Sequence, residues 1–240
     1  MFVTCGDSYA CIDKREPKEL QWPIYVANNL GYTSSQQLHL GRGASDNWYI
    51  FLQAKWALEN HSIDCLVVWW TSVHRFFVKH PDTEEDNSLL VANEVGTNIN
   101  RHETNYVYEN YAPQYISETY NNVINDGKFR PGSRKRHNMI DEDWEVLQKY
   151  WEKFHSVKKG HLELQTMQYV IEHLCEDYGV EYFNFPDGHL SNMMMKSEEF
   201  DPDSIILANH FGVNGHKIIG DYMWKTIERK SNIKRNNKFS

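Results

Sequence analysis

A serine near the start of the chain and two histidines near its end are the residues best suited to chemistry. Ser8 follows a short β-prone run and a Gly-Asp turn pair, and His210 and His216 precede and open the last predicted helix. A serine hydroxyl is a poor nucleophile at neutral pH and needs a base, which a histidine can supply. The pattern therefore predicts nucleophilic catalysis by Ser8 with a histidine of this C-terminal segment, His210 or His216, as the base. A structural role on the last helix is the simpler explanation of His216.

Other chemistries fit the sequence less well. His210 and His216 are six residues apart and lack the HExxH spacing of a zinc protease helix. The chain has no GxxxxGK[ST] phosphate loop, and Gly41 and Gly43 lack the third glycine of a dinucleotide fingerprint. We therefore expect no cofactor and no metal site. The four cysteines form no CxxC pair, which argues against a disulfide framework and for a reducing, intracellular compartment.

The elements that would position these residues alternate between strand and helix. Short β-prone runs occur at 2–5, 38–40, 63–70 and 180–185, and helical patterns occur at 17–29, 47–60, 160–178 and 214–228. This alternation is typical of βαβ units in a parallel α/β sheet. The run 63–70 is apolar over most of its length, which predicts an interior strand covered on both faces. Ser8 would then lie beyond the carboxyl end of a strand, where α/β sheets form their sites.

The segment 74–140 interrupts this alternation within an otherwise single domain over residues 1–240. It is rich in Asn, Tyr and charge without a strong period, so we interpret it as an insertion with a partial helix around 104–125. Its aromatic side chains could form a lid or a sugar-binding face, or pack on the domain or on a second subunit. A helical pattern returns at 141–155, and we expect the basic tail 229–240 to be frayed.

Composition excludes several classes of protein. The chain has 240 residues, a net charge of −8 and 40% hydrophobic residues, enough to build a core, so a disordered chain is not expected. No stretch approaches the ~20 apolar residues of a membrane helix, and the N-terminus lacks a signal-peptide pattern, so we expect a cytoplasmic protein without a membrane partner. The acidic balance argues against nucleic-acid binding. The sequence leaves a homo-oligomer open.

Four short blocks, in order along the chain, resemble the SGNH (or GDSL) family of serine hydrolases. They are residues 4–9 (TCGDSY), 40–47 (LGRGASDN), 67–72 (VVWWTS) and 210–217 (HFGVNGHK). The Trp-Thr-Ser of the third block and the His-Phe of the last are most similar to members encoded by tailed bacteriophages, which would place the protein in the host cytoplasm. The family consists of α/β/α serine esterases. The resemblance therefore implies a three-layer α/β/α, flavodoxin-like sandwich with a short parallel sheet and the insertion.

The resemblance also assigns roles to individual residues. Ser8 resembles the nucleophile of the first block, and His210 resembles the general base of the last. The oxyanion hole would use the backbone N–H groups of Ser8 and Gly43, or of Ala44 if the second block is shifted by one residue.

Two positions depart from the family's pattern. The third block lacks the asparagine that donates to the oxyanion, and Ser72 or Thr71 stands near its place. The acid three residues before the base is also missing, because that position is Leu207. Asp203 or Asp201 would then orient the histidine from a shifted loop.

The resemblance implies a serine esterase that forms an acyl-enzyme. Its expected substrate is a small-molecule or carbohydrate ester, with a small acyl group such as acetyl. The two departures leave open a second interpretation, in which the fold is kept but efficient catalysis is lost. Such a chain would be a binding or structural protein that uses the insertion to hold a glycan or a partner protein.

Overall fold

The architecture described here comes from a computed structural model of the chain. It describes residues 1–7, 9–12, 17–41, 45–71, 73, 156–186 and 212–231, with short pieces at 124–125, 128–129, 145–146, 149 and 153. Most of the insertion 74–140 lies outside these ranges. So does most of the helix expected over 141–155, whose described residues are helical.

Four parallel strands form the central sheet of the described chain. Numbered along the chain, all the described strands of both sheets are β1 (Phe2–Gly6), β2 (Gln37–His39), β3 (Cys65–Trp70), β4 (Ile124–Asn125), β5 (Lys128–Phe129) and β6 (Glu181–Pro186). The sheet has the order β2-β1-β3-β6, and every neighbouring pair is parallel. Strands β4 and β5 pair with each other in an antiparallel ladder. Strand β3 is interior and all six of its residues are buried, which confirms the prediction for 63–70.

Four α-helices accompany the sheet within the described ranges. They are α1 (Trp22–Asn29), α2 (Asn47–Asn60), α3 (Val157–Tyr178) and α4 (Val213–Lys230). Short 3-10 turns occupy Lys18–Leu20 and Ser34–Gln36. The Asp46 carboxylate accepts the Tyr49 N–H at 2.8 Å and so caps the start of α2. Gly179 ends α3 in the left-handed conformation, with φ +69°, as the sequence predicts.

Side chains along β1, β3 and β6 alternate between two buried clusters. One cluster joins β-strand residues Val3, Cys5, Leu66, Val68 and Trp70 to α2 and to Ile171 and Cys175 of α3. The other joins Phe2, Cys65, Val67, Trp69, Phe183 and Phe185 to α1 and to Ile219, Met223 and Ile227 of α4. The described chain is therefore a mixed α/β protein with apolar packing on both sides of a parallel sheet.

Some boundaries differ from the sequence-based prediction. Helix α1 begins at Trp22 rather than near 17, because Gln21 is extended and Pro23 fits only the first turn of a helix. Helix α4 reaches Lys230, so the first two residues of the predicted tail are helical. The partial helix expected around 104–125 lies outside the described residues except at Ile124–Asn125, which form a strand. No helix in the described ranges has the length and apolar character needed to cross a bilayer.

Candidate active site

The residues expected to perform catalysis lie outside the described ranges. They are Ser8, Gly43, Ser72, Asp203 and His210, together with the alternatives Ala44 and Asp201. The neighbours of Ser8 and Ser72 lie at one edge of the sheet, because β1 and β3 are parallel and Gly6 pairs with Trp69 at their carboxyl ends. Such an edge is where parallel α/β sheets form their sites.

A buried carboxylate closes the turn that contains Ser8. Asp7 is fully buried, and its Oδ1 accepts a hydrogen bond from the Tyr9 N–H at 2.9 Å. The Asp7 carbonyl oxygen also accepts the Ala10 N–H at 3.1 Å. These bonds fix the residues on either side of Ser8. Asp7 therefore has a structural role, as a carboxylate that accepts a backbone N–H in the turn after β1.

The same carboxylate reaches the segment after β3. The Thr71 hydroxyl donates to Asp7 Oδ2 at 2.8 Å, and Thr71 is 2% exposed. A hydroxyl has one hydrogen to donate, so this bond uses the only donor of the Thr71 side chain. Of the two residues predicted near the oxyanion, Thr71 therefore has its hydroxyl hydrogen engaged by Asp7, and Ser72 lies outside the described residues.

An asparagine at the start of α2 holds the backbone of Thr71. The Thr71 N–H donates to Asn47 Oδ1 at 2.8 Å, and Asn47 Nδ2 donates to the Thr71 carbonyl at 3.0 Å. The side chain thus satisfies both backbone groups of one residue, as a neighbouring strand would do. Asn47 is buried. It ends the second block, but sequence patterns alone assign it no role. Its contact is 24 residues distant, so local patterns could not reveal it.

Two glycines allow the Ser8 turn to pack tightly. A β-carbon on Gly41 would lie 2.2 Å from the Ala10 carbonyl oxygen, which is backbone and cannot rotate away. A β-carbon on Gly6 would lie 2.7 Å from the Ala10 side chain and 2.9 Å from the Trp69 carbonyl oxygen. The Gly6 N–H donates instead to the buried Gln53 Oε1 at 2.9 Å. The turn after β1 therefore fits between β3 and the loop after β2.

Trp22 links the Ser8 turn to the helix that follows His210. Its indole Nε1 donates to the Tyr9 carbonyl at 2.5 Å, and its backbone N–H donates to His216 Nδ1 at 3.4 Å. His216 lies in the first turn of α4 and is 5% exposed. Its Nδ1 is occupied as an acceptor, which supports the structural interpretation of this histidine.

A cleft of about 570 Å³ lies beside this edge of the sheet. It is lined by Asp46, Asn47, Trp48, Val73, Lys159, Gly160, Leu162, Glu163, Thr166 and Met167. Asn47 and Val73 connect it to the segment that contains Ser72. Trp48 is 48% exposed, and one face of its ring stacks on Phe51 with a centroid distance of 5.4 Å. The cleft has the volume of a small-molecule site.

The described thiols are poor alternative nucleophiles. All four cysteines are buried. Burial raises the pKa of Cys5 well above its usual value and raises the pKa of Cys175 to about 12. Since the thiolate is the reactive form, these groups are inert at neutral pH. Among the described residues, no three His, Cys, Asp or Glu side chains come together as a metal site would require.

Comparisons with known proteins give no family. A scan against protein-family models finds no match, and a search of the curated proteins finds none either. The SGNH-type assignment therefore remains a prediction from the four sequence blocks.

Proposed function

We propose that this chain is a serine esterase of the SGNH type, with a three-layer α/β/α, flavodoxin-like sandwich and Ser8 as its nucleophile. The observation that carries the proposal is the buried Asp7 carboxylate. It holds the Tyr9 N–H on one oxygen and the Thr71 hydroxyl on the other. The residues on either side of Ser8 are thus held at the carboxyl edge of a parallel sheet, where such sheets form their sites.

In the proposed reaction, Ser8 Oγ attacks the carbonyl carbon of the ester while His210 takes the hydroxyl proton. Asp203 orients the histidine. The negative charge moves to the carbonyl oxygen, where the backbone N–H groups of Ser8 and Gly43 and the Ser72 hydroxyl donate to it.

The tetrahedral intermediate then collapses. The bond between the carbonyl carbon and the alkoxy oxygen breaks, and protonated His210 gives its proton to the leaving alcohol. Water attacks the resulting acyl-Ser8 with His210 again as the base. The bond between the carbonyl carbon and Ser8 Oγ then breaks, His210 returns the proton to Ser8 Oγ, and the carboxylic acid is released. The cleft beside Asn47 supports a small ester as substrate, and the half-exposed Trp48 suits an alcohol part with a carbohydrate ring.

A fluorophosphonate probe tests the proposal without knowledge of the substrate. Mass spectrometry should locate one adduct on Ser8 of the folded protein, and the adduct should be absent in Ser8→Ala and strongly reduced in His210→Ala. Ser34→Ala is the matched control, since Ser34 is exposed in a 3-10 turn and should not affect labelling.

The second candidate is a protein that keeps the fold and binds a glycan or a partner protein without hydrolysing it. The exposed, stacked Trp48 beside the cleft is compatible with this role. A folded sample that gives no adduct on Ser8 would contradict the esterase and favour this candidate.

A further inference from the structure

Three buried side chains connect the turn around Ser8 to the segment that contains Ser72. Asp7 accepts the Tyr9 N–H and the Thr71 hydroxyl on different carboxylate oxygens, at 2.9 and 2.8 Å. Asn47 holds both backbone groups of Thr71, at 2.8 and 3.0 Å. Asp7, Asn47 and Thr71 are at most 6% exposed. The residues immediately after Asp7 and Thr71 are the proposed nucleophile and the proposed oxyanion donor.

We infer that Asp7, Thr71 and Asn47 are positioning residues, which hold the backbone next to Ser72 close to the backbone next to Ser8. This inference rests on the proposed function and adds to it separate positioning roles for the three side chains. Asp7 ties the two segments together through one carboxylate, and Asn47 stops the segment after β3 from sliding along the strand direction. The hydrogen bonds of a carboxylate are stronger than those between neutral groups, and here they are shielded from water.

Restraint of the backbone at Ser72 would compensate for the asparagine that the third block lacks. A serine hydroxyl reaches less far than a carboxamide, so it is useful to an oxyanion only if its backbone is held close to the nucleophile. The network supplies that restraint from three elements, namely the turn after β1, the start of α2 and the end of β3.

The chain offers a matched pair of substitutions to test this. Thr71→Val removes the donor to Asp7 and keeps the side-chain shape. Thr4→Val removes another buried threonine hydrogen bond of the same length, 2.8 Å to His39 Nδ1, from the body of β1. Thr71→Ser restores the hydroxyl and serves as the rescue variant. Unfolding midpoints of the three proteins establish that each is folded.

The first measurement is amide hydrogen exchange by NMR, which needs no activity. In Thr71→Val, the amides of Tyr9 and of residue 71 should exchange about 10-fold faster or more than in the wild type, because the hydrogen bond that joins residue 71 to Asp7, the acceptor of the Tyr9 N–H, is lost. In Thr4→Val and Thr71→Ser they should remain near the wild-type rates. Equal exchange in Thr71→Val and Thr4→Val would overturn the inference, whether or not the protein hydrolyses esters.

The second measurement is turnover of p-nitrophenyl acetate. Thr71→Val should lower kcat by about 10- to 100-fold with little change in KM, since a misplaced donor affects the transition state more than substrate binding. Thr4→Val should retain kcat, and Thr71→Ser should recover it. A folded Thr71→Ser that stays as slow as Thr71→Val would contradict the inference. Absence of turnover and of the Ser8 adduct in the wild type would instead reject the esterase, and the exchange result would still decide the positioning role.

Discussion

The α-carbon of Gly41 lies directly against the backbone of Ala10. A β-carbon at Gly41 would come within 2.2 Å of the Ala10 carbonyl oxygen and 2.3 Å of its carbonyl carbon. The loop after β2 and the turn after β1 therefore touch through their main chains, with no side chain between them. This contact brings the second sequence block next to the turn around Ser8.

We expect Gly41→Ala to destabilise the protein by about 3 kcal/mol or more, because the added methyl group can be accommodated only by moving backbone. Gly179→Ala is the control. Gly179 has φ +69° and open space around its α-carbon, so alanine there should cost only about 1–2 kcal/mol of backbone strain. Urea unfolding of both variants gives the comparison. Equal losses of unfolding free energy would contradict the tight contact at Gly41.

Two glutamine side chains each accept a backbone N–H, one of them buried and the other exposed to solvent. Gln53 is 1% exposed and accepts the Gly6 N–H at 2.9 Å, whereas exposed Gln36 accepts the Thr33 N–H at 3.0 Å. Within the described residues, the Gln53 amide nitrogen has no partner. A carboxylate at either position would keep the acceptor oxygen, but only the one at position 53 would be removed from water.

Gln53→Glu should therefore make stability depend on pH. Burial raises the pKa of a carboxyl group, so the folded protein would hold the proton more tightly than the unfolded chain. The variant should be close to wild type below pH ~4, the range of the unfolded carboxyl group, and should lose about 2–4 kcal/mol as pH rises to 8. Unfolding free energies at pH 4, 6 and 8 measure this. Gln36→Glu should follow the wild-type curve, and a pH-independent Gln53→Glu would contradict the dry environment of this side chain.

A buried histidine gives the wild type the opposite pH dependence. His39 is 2% exposed, and burial lowers its pKa to about 3. Its Nε2 lies 3.1 Å from the Gln37 Oε1, which can only accept, so Nε2 carries the proton and Nδ1 accepts from the Thr4 hydroxyl. The folded state therefore holds a neutral imidazole, and the ring must lose these partners before it can be hydrated and charged.

Stability should consequently fall as pH is lowered from about 6.5 towards 3, because the unfolded state binds a proton that the folded state does not. Over this window, His39 should lower the unfolding free energy by up to about 1.4 kcal/mol for each pH unit of acidification. Above pH ~7 it should not make the unfolding free energy depend on pH. His39→Gln should reduce the slope of unfolding free energy against pH. His173→Gln, on the exposed surface of α3, should leave it unchanged; identical slopes in wild type and His39→Gln would reject the prediction.

Thiol reactivity should report on the integrity of this fold. Cys5, Cys11, Cys65 and Cys175 are buried, and burial raises the pKa of the Cys5, Cys65 and Cys175 thiols. Iodoacetamide at pH 8 should therefore modify the native protein very slowly and all four cysteines once guanidinium unfolds it. Rapid modification of a single cysteine in the native state would show that its described surroundings open locally.

Local patterns were sufficient to predict most of the secondary structure. Helix α2 has the predicted bounds, 47–60, because Asp46 provides a cap and apolar residues recur at helical spacing. The apolar run of β3 predicted an interior strand, because a continuous apolar run is typical of a strand that is covered on both faces. The predicted start of α1 was wrong: Pro23 fits only the first turn of a helix, and Trp22 docks on Tyr9 and His216, which are remote in sequence.

The candidate site was less accessible to sequence reasoning. Asp7 could be interpreted from its own turn, because its contact with the Tyr9 N–H spans two residues. The roles of Asn47 and Gln53 depend on partners 24 and 47 residues away, and no periodicity encodes such contacts. Polar residues that bind backbone groups at a sheet edge are therefore the part of the site that sequence patterns do not reveal.

The contact between Val73 and Gly160 has a consequence for how this protein can change over evolution. A β-carbon on Gly160 would lie 3.0 Å from the Val73 carbonyl oxygen, so the two ends of the long intervening stretch already meet on the α/β scaffold. Closing a loop whose ends are held together becomes only ~0.6 kcal/mol more costly for each doubling of its length. Insertions and deletions between Val73 and Gly160 should therefore cost little free energy of loop closure and leave the sheet and the Asp7 network unchanged.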